Sequence, residues 1–342
     1  MFFSAVFGIV SAMVGAGFAS GREIMQFFSR YGPVSWGLVL LAAVITGWLM
    51  RCLMENSAGV GEMFPANPVG SMGRGILLLL YTAAGGAMTA AAGELSALTV
   101  PLVHARALGS LLTLCAGVFL SMRSLRALGS IGKLLIPLML SAFFFCSRIP
   151  AEDASLTVSH GFPIGAAVVR LIGYCGLNVM LSAEVIREAG EKTDNHPRLI
   201  LMACCFIGVM LCVGNGAMLP HAKELESAAL PMVMLLRAYG KPGFYLSAVV
   251  LYLAVFSTLI AILRAMRRLI PKRVQSPGLL AGLLCGASSL LGFETIVNAA
   301  YAVLGWLGVL LILGKKFFER GTKYHPASSI GRTPNKEDGN TR

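Results

Sequence analysis

The sequence predicts an all-α polytopic membrane protein, with about ten transmembrane helices arranged as two inverted repeats of five. Three observations predict it: serial apolar runs that are each long enough to cross a bilayer, a shortage of charge, and glycine-rich interruptions at matching positions of the two halves.

The 342-residue chain is 56% hydrophobic and 13% charged, where soluble domains average about 45–50% apolar and about 25% charged residues. A water-soluble body of this length would lack the charge to cover its surface. Apolar runs of about 20 residues match a hydrocarbon core roughly 30 Å thick. In lipid the backbone must satisfy its own hydrogen bonds, which leaves helices or a closed barrel. The runs here are continuous rather than alternating, so helices are expected. The expected spans are 3–29, 33–52, 75–99, 107–122, 127–147, 162–186, 198–219, 242–268, 276–292 and 294–314.

The first run carries no Lys or Arg before Arg22 and continues past it, which fits a first span better than a signal peptide. The net charge of +12 also belongs to the membrane reading. With the N-terminus inside, the cytoplasmic segments hold 20 of the 28 basic residues, among them Arg187, Arg264, Arg267 and Arg268. That bias obeys the positive-inside rule with both termini cytoplasmic. The expected setting is therefore the cell membrane, with the lipid bilayer and a small-molecule solute as partners and no nucleic acid. The eight cysteines fall in or beside apolar spans without CxxC spacing, as buried apolar residues do. The histidines sit in loops or the tail with no metal-ligand spacing.

A single transmembrane domain is expected over residues 1–320, with repeats at approximately 1–147 and 162–314. Residues 321–342 are polar, lack apolar periodicity, and read as a disordered cytoplasmic tail. The stretch from His221 to Gly240 contains several leucines and is expected as a short helix on the outer surface.

The first span is interrupted by Gly15-Ala16-Gly17-Phe18-Ala19-Ser20-Gly21, followed by Arg22-Glu23 and an apolar continuation. The sixth is interrupted by Gly173-Tyr174-Cys175-Gly176-Leu177-Asn178, with Glu184 beyond it. Spans one and six are equivalent in a five-plus-five chain, and the odd repeat length inverts the second half. Glycine weakens a helix by about 1 kcal/mol relative to alanine, and an unwound backbone is tolerated in a membrane only where it faces protein or a watery cavity. Matching breaks therefore point to a central binding site. Small-residue packing faces are the competing explanation for each break alone. Tyr81 and Tyr174 are candidate solute neighbours, since a phenol offers a ring face and a polar tip.

The segment Val14-Gly15-Ala16-Gly17-Phe18-Ala19-Ser20-Gly21-Arg22-Glu23-Ile24, with Gln26-Phe27-Phe28 and Tyr31-Gly32, resembles the opening of the YkvI family. That family is grouped with amino-acid permeases in the amino acid–polyamine–organocation superfamily. The resemblance implies a LeuT-like fold of five-plus-five inverted repeats with helices one and six broken. It also implies a sodium site between helices one and eight. The corresponding positions are the carbonyls of Ser11, Val14 and Ala254 and the hydroxyls of Ser257 and Thr258. Ala254, Ser257 and Thr258 stand at i, i+3 and i+4, on one helical face. Neutral oxygens suit a monovalent hard cation, whereas divalent ions favour carboxylates. Hydroxyls bonded back to their own helix are the alternative. A second sodium site is not carried over, because Ala12 and Phe18 stand where the archetype has asparagines.

Carboxylates at membrane depth are costly and are functional candidates. Four stand out: Glu23, Glu94, Glu184 and Glu294. Glu23 and Glu184 are candidates for gating or proton relay, and Arg170 is a candidate partner for one of them or for a solute carboxylate. Structural ion pairing is the alternative for all, and the preferred one for Glu294. HExxH, GxSxG and paired aspartates are absent, so no enzyme is expected. The expected function is a sodium- or proton-coupled symporter of a small solute such as an amino acid. The substrate set is Gly15, Ala16, Gly17, Phe18, Ala19, Ser20, Tyr81, Gly173, Tyr174, Gly176 and Asn178. No cofactor beyond a coupling Na⁺ is expected. The alternative is a receptor or scaffold that keeps the fold without transporting.

Overall fold

The computed structural model describes residues 2–55, 60–64, 67–123, 125–151, 164–226, 228–271, 273–291, 301 and 303–314. Six helical stretches are long and apolar enough to cross a membrane: Ser29–Glu55, Pro68–Thr99, Leu125–Cys146, Ile164–Leu181, His196–Leu225 and Pro231–Leu269. Four shorter apolar helices accompany them: Phe2–Met13, Ala105–Ser121, Pro277–Ser289 and Val303–Gly314. The six long stretches overlap expected spans, and the four shorter helices lie within or across the positions of the others. Residues 292–300, which include Glu294, and the predicted tail lie outside the described residues.

The first span is three helices: α1 (Phe2–Met13), α2 (Ala16–Ala19) and α3 (Arg22–Phe27). A 3-10 turn at Ser29–Val34 leads into α4 (Ser35–Glu55). Next come α5 (Pro68–Thr99), α6 (Ala105–Ser121) and α7 (Leu125–Cys146). The Asn67 side chain caps α5, accepting from the Gly70 amide at 2.7 Å, with proline at the position that needs no donor. The sixth span is α8 (Ile164–Leu181) and α9 (Ala183–Glu191), and the seventh is α10 (His196–Met218), capped in the same way by Asn195. Two short helices, α11 (Ala222–Leu225) and α12 (Pro231–Leu236), precede α13 (Gly240–Leu269). The described chain closes with α14 (Pro277–Ser289) and α15 (Val303–Gly314).

Two groups of helices emerge from the packing. In one, α4 packs against α10 and α8, and α1 against α10. In the other, α5, α6, α13 and α14 all pack on one another. The two groups meet chiefly along α13, which touches α1, α2, α8 and α9, while α7 lies against α1, α10 and α13. Close approach of α1 and α7 depends on absent side chains: a Cβ on Gly132 would press on the Phe7 carbonyl, and one on Gly129 on Ser4.

Two expectations are corrected. The sixth span does not break at Gly173–Asn178, because α8 runs through those residues and is interrupted only at Ser182. There the Ser182 hydroxyl donates to the Asn178 carbonyl at 2.7 Å, the back-bonding that bends helices without unwinding them. The segment after His221 is also not a surface helix. Pro231, Met232, Val233, Leu235 and Leu236 of α12 are buried, and the Met232 amide donates to the Ser20 carbonyl at 2.8 Å, inside the first-span break.

Candidate functional site

The first-span break has two parts with different causes. At Val14–Gly15 the helix stops and Gly15 is extended (φ −84°, ψ −176°). At Gly21 the backbone is left-handed (φ +80°), a conformation that costs other residues roughly 1–2 kcal/mol. Between them α2 is a single turn. Its Ala16, Phe18 and Ala19 are buried, and Phe18 meets Phe143 edge-on at 6.3 Å. The Ser20 hydroxyl donates to the Gly17 carbonyl at 3.0 Å.

Against the upstream end of this break stand the hydroxyls of α13. Ser257 Oγ lies 2.7 Å from the Ser11 carbonyl oxygen and 3.0 Å from that of Ala254. Thr258 Oγ1 lies 3.4 Å from the Ala12 carbonyl, and a Cβ on Gly15 would come within 3.6 Å of it. All four of Ser11, Ala254, Ser257 and Thr258 are buried. Four of the five predicted ion-site residues are thus brought together. The hydroxyl of Thr258 meets the carbonyl of Ala12, where the expectation had Val14. No sequence signal marks Ala12, since any residue supplies a carbonyl.

Downstream, the Glu23 side chain folds back over Gly17, where a Cβ would stand 2.7 Å from its Cδ. The Tyr174 side chain pairs with the Glu23 carboxylate and also with Asn178. Tyr174 is stacked on Phe27 (4.7 Å, 30°) and met edge-on by Phe28 (5.7 Å, 83°). The Asn178 amide donates to the Tyr174 carbonyl at 3.0 Å. The break and the sixth span therefore face each other through Gly17, Glu23, Tyr174 and Asn178, although α8 is unbroken there. Phe27 and Phe28 entered the sequence reading only as part of the family resemblance, with no role at the site, and Tyr301, which lies close enough to Glu23 to feel its charge, was not singled out. As a single aromatic in an apolar run, Tyr301 carries no distinguishing pattern.

The remaining candidates have other surroundings. Gly173 and Gly176 pack on α15: a Cβ on Gly176 would press into the Gly305 carbonyl, and one on Gly173 would come within 3.1 Å of Trp306 Nε1. Tyr81 is fully buried, and its hydroxyl donates to the Met180 carbonyl at 2.5 Å, which ties α5 to α8. Arg170 is exposed, on the outside of α8 rather than beside the break. Glu94 pairs with Arg106 at 2.7 Å, both well exposed, so it has a counter-charge and stands apart from the break.

Glu184 belongs to an ion network at the end of the bundle predicted to be cytoplasmic. It is buried and accepts from Arg187 Nη2 at 2.6 Å, with Arg268 Nε at 3.0 Å. Arg187 also reaches Glu191, and Arg264 reaches Glu188, which Lys192 joins at 2.5 Å. Arg264 Nη1 donates to the Arg123 carbonyl at 2.8 Å, and Arg267 Nη1 to that of Ser121 at 2.7 Å. Burial pushes the Glu188 carboxyl up, but the Lys192 hydrogen bond and the Arg264 charge outweigh it and hold it below its ordinary value. The network clamps α9 to the C-terminal end of α13. Sequence reasoning missed the Glu188–Arg264 pair because its members are 76 residues apart, one in a charged connection and the other near the end of an expected span.

No protein-family model matches the chain. It is 20% identical over 325 residues to the uncharacterized membrane protein YkvI of Bacillus subtilis (strain 168), covering 90% of this chain and 92% of that protein. It is also similar to crystal structures of a manganese transporter from Eremococcus coleocola. A mutant of that protein matches with a TM-score of 0.55 at 12% identity, over 92% of this chain and 77% of that one. Its complex with an aromatic bis-isothiourea substituted compound matches with a TM-score of 0.54 at 12% identity, over 92% and 75%. At this identity the likeness carries the fold: the chain is an integral, all-helical membrane protein built on a transporter fold.

Proposed function

We propose that the chain is a secondary active transporter, a sodium- or proton-coupled symporter of a small solute such as an amino acid, working by alternating access. The observation that carries this reading is the double break of the first span, which opens towards the α13 hydroxyls at one end and towards Glu23 and Tyr174 at the other. Irregular backbone at membrane depth is a costly feature that transporters place at their binding sites. In this reading the ten helical stretches are ten spans in two inverted repeats, with both termini cytoplasmic. The group of α1, α4, α8 and α10 rocks against that of α5, α6, α13 and α14.

The oxygens of Ser11, Ala254, Ser257 and Thr258 form a neutral set of the kind that suits sodium. Manganese, the cargo named for the similar structures, is not carried over. Among the described residues no group of three His, Cys, Asp or Glu is placed to hold a metal ion, and the break offers a single carboxylate. Glu23 and Glu184 are the candidates for a proton-coupled alternative. Glu184 with its arginine partners then acts as a gate that must part when the predicted cytoplasmic side opens.

The test is uptake of amino acids into proteoliposomes under a sodium or a proton gradient, paired with thermal shifts in sodium and potassium buffers. Sodium-dependent stabilisation and uptake that both disappear in Ser257→Ala/Thr258→Ala support the sodium form. Uptake driven by a proton gradient and indifferent to that variant moves the coupling to the carboxylates. Solute binding with no uptake under either gradient overturns the transporter reading in favour of a receptor or scaffold.

A further inference from the structure

We propose that the seam of α6 and α14 docks an anionic phospholipid, with its phosphate held by Arg123 and Arg267. The site lies at the end of the bundle predicted to be cytoplasmic, and its chemistry does not depend on the transport reading.

The arginines at this end fall into two classes. Arg187, Arg264 and Arg268 hold Glu184, Glu188 and Glu191, and Arg51 holds Glu55. Among the described residues no carboxylate pairs with Arg123, Arg126, Arg267 or Arg273, which stand at the ends of α6, α7 and α13 and in the link to α14. Arg267 stands apart even from these. Its Nη1 donates to the Ser121 carbonyl at 2.7 Å, but its Nε is buried and has no hydrogen-bond partner. Arg264 and Arg268 lie close enough to add their charges to its own. A guanidinium held among cations with an unused donor calls for an anion. Arg123, two residues beyond Ser121, is exposed, and its guanidinium lies over the Phe119 ring at 4.6 Å. That is how an arginine sits where an apolar surface meets water.

The surroundings indicate which anion. At the start of α14 a Cβ on Gly278 would stand 3.7 Å from Arg267 Nε and 3.8 Å from Met122 Sδ, so the arginine meets both helices there. Away from that end the two helices pack through Gly282 against Val118 and Gly286 against Leu114. Phe119 and Met122 on one side, and Leu279 and Leu283 on the other, are exposed. An apolar face that begins at a cluster of unpaired cations fits a molecule with hydrocarbon chains and a charged head. The planar guanidinium suits a phosphate in particular. A soluble anion gains nothing from that face.

The experiment titrates the purified full-length protein in detergent with phosphatidylglycerol, with phosphatidylcholine of the same acyl chains, and with inorganic phosphate. Bound lipid is counted by native mass spectrometry, and affinity is read from thermal shifts at constant ionic strength. Phosphatidylglycerol is expected to bind at least about tenfold more tightly than phosphatidylcholine, and inorganic phosphate to leave the protein unshifted. Arg123→Gln and Arg267→Gln should each weaken phosphatidylglycerol about fivefold, the scale of one basic side chain at an anionic surface. Arg51→Gln removes an exposed, paired charge from the same end and should weaken it less than about twofold. Should Arg267→Gln fold poorly, phenylglyoxal labelling of arginines in the wild type, read by mass spectrometry, serves instead. Phosphatidylglycerol should then protect Arg123 and Arg267, and phosphatidylcholine should not. Equal affinity for the two lipids, an equal loss in Arg51→Gln, or full affinity in Arg123→Gln and Arg267→Gln would overturn the proposal. Stabilisation by inorganic phosphate as strong as that by phosphatidylglycerol would also overturn it, since the site would then take a free ion.

Discussion

Within residues 15–21 the chain leaves the helix twice, at Gly15 and at Gly21, whereas through residues 173–178 it stays helical to Leu181. Both segments are glycine-rich, and the difference lies in what each glycine omits. Gly21 omits the conformational penalty of a left-handed residue. Gly17 omits a Cβ that would occupy the seat of a carboxylate. Gly176 omits a Cβ that would strike the backbone of another helix, since α8 and α15 meet across Gly176 and Gly305. One set of glycines makes irregular backbone; the other brings two regular helices close together.

Five substitutions bear on this contrast. The largest effect is expected at the far end of the sixth span. Removing the guanidinium in Arg264→Ala leaves Glu188 half-buried against Lys192 alone, and should cost about 3–5 kcal/mol if the clamp holds α9 rigid. The pair also fixes a pH signature. Because the folded Glu188 is held below its ordinary value of 4.5, its contribution is present above that value and is lost as pH falls below it. Unfolding titrations from pH 7 to pH 3 should therefore show an acid loss in the wild type that is blunted in Glu188→Gln.

Next comes Gly176→Ala, whose methyl meets the unyielding Gly305 carbonyl and should cost about 1–3 kcal/mol, read as a lowered Tm. A neutral result would mean that α8 and α15 separate easily, and would weaken the packing account. Gly21→Ala should cost about 1 kcal/mol through left-handed strain alone. Gly17→Ala is expected to be the mildest for stability, within about 0.5 kcal/mol, because the group it displaces is the movable end of Glu23. Its effect should instead fall on solute affinity. A Gly17→Ala protein that is destabilised as much as Gly176→Ala would erase the distinction between the two segments.

The contrast also explains what was legible in the sequence. The spans could be read because lipid imposes length and apolarity on each one independently. The first break could be read because a run with Gly15, Gly17 and Gly21 followed by Arg22-Glu23 is hard to accommodate as one apolar helix. The sixth break was misread because glycine spacing does not record whether the missing side chain serves a torsion angle or a neighbour, and the neighbour, Gly305, lies in a distant span. The α13 hydroxyls were reached through the family resemblance, which their i, i+3, i+4 spacing fits, whereas the ion network depends on tertiary proximity. Likewise α12 reads as an interfacial helix until the Met232 amide is seen at Ser20.

The seam along α13 has a mechanical consequence. One helix presents Ser257 and Thr258 to α1 and, two turns on, Arg264 to α9. A stiff rod gripped at two points works as a lever. Loosening the grip at one point changes the leverage at the other, even though no side chain of the two grips touches. The distance between them, set by the rise of an α-helix, would remain constant while everything around it moves.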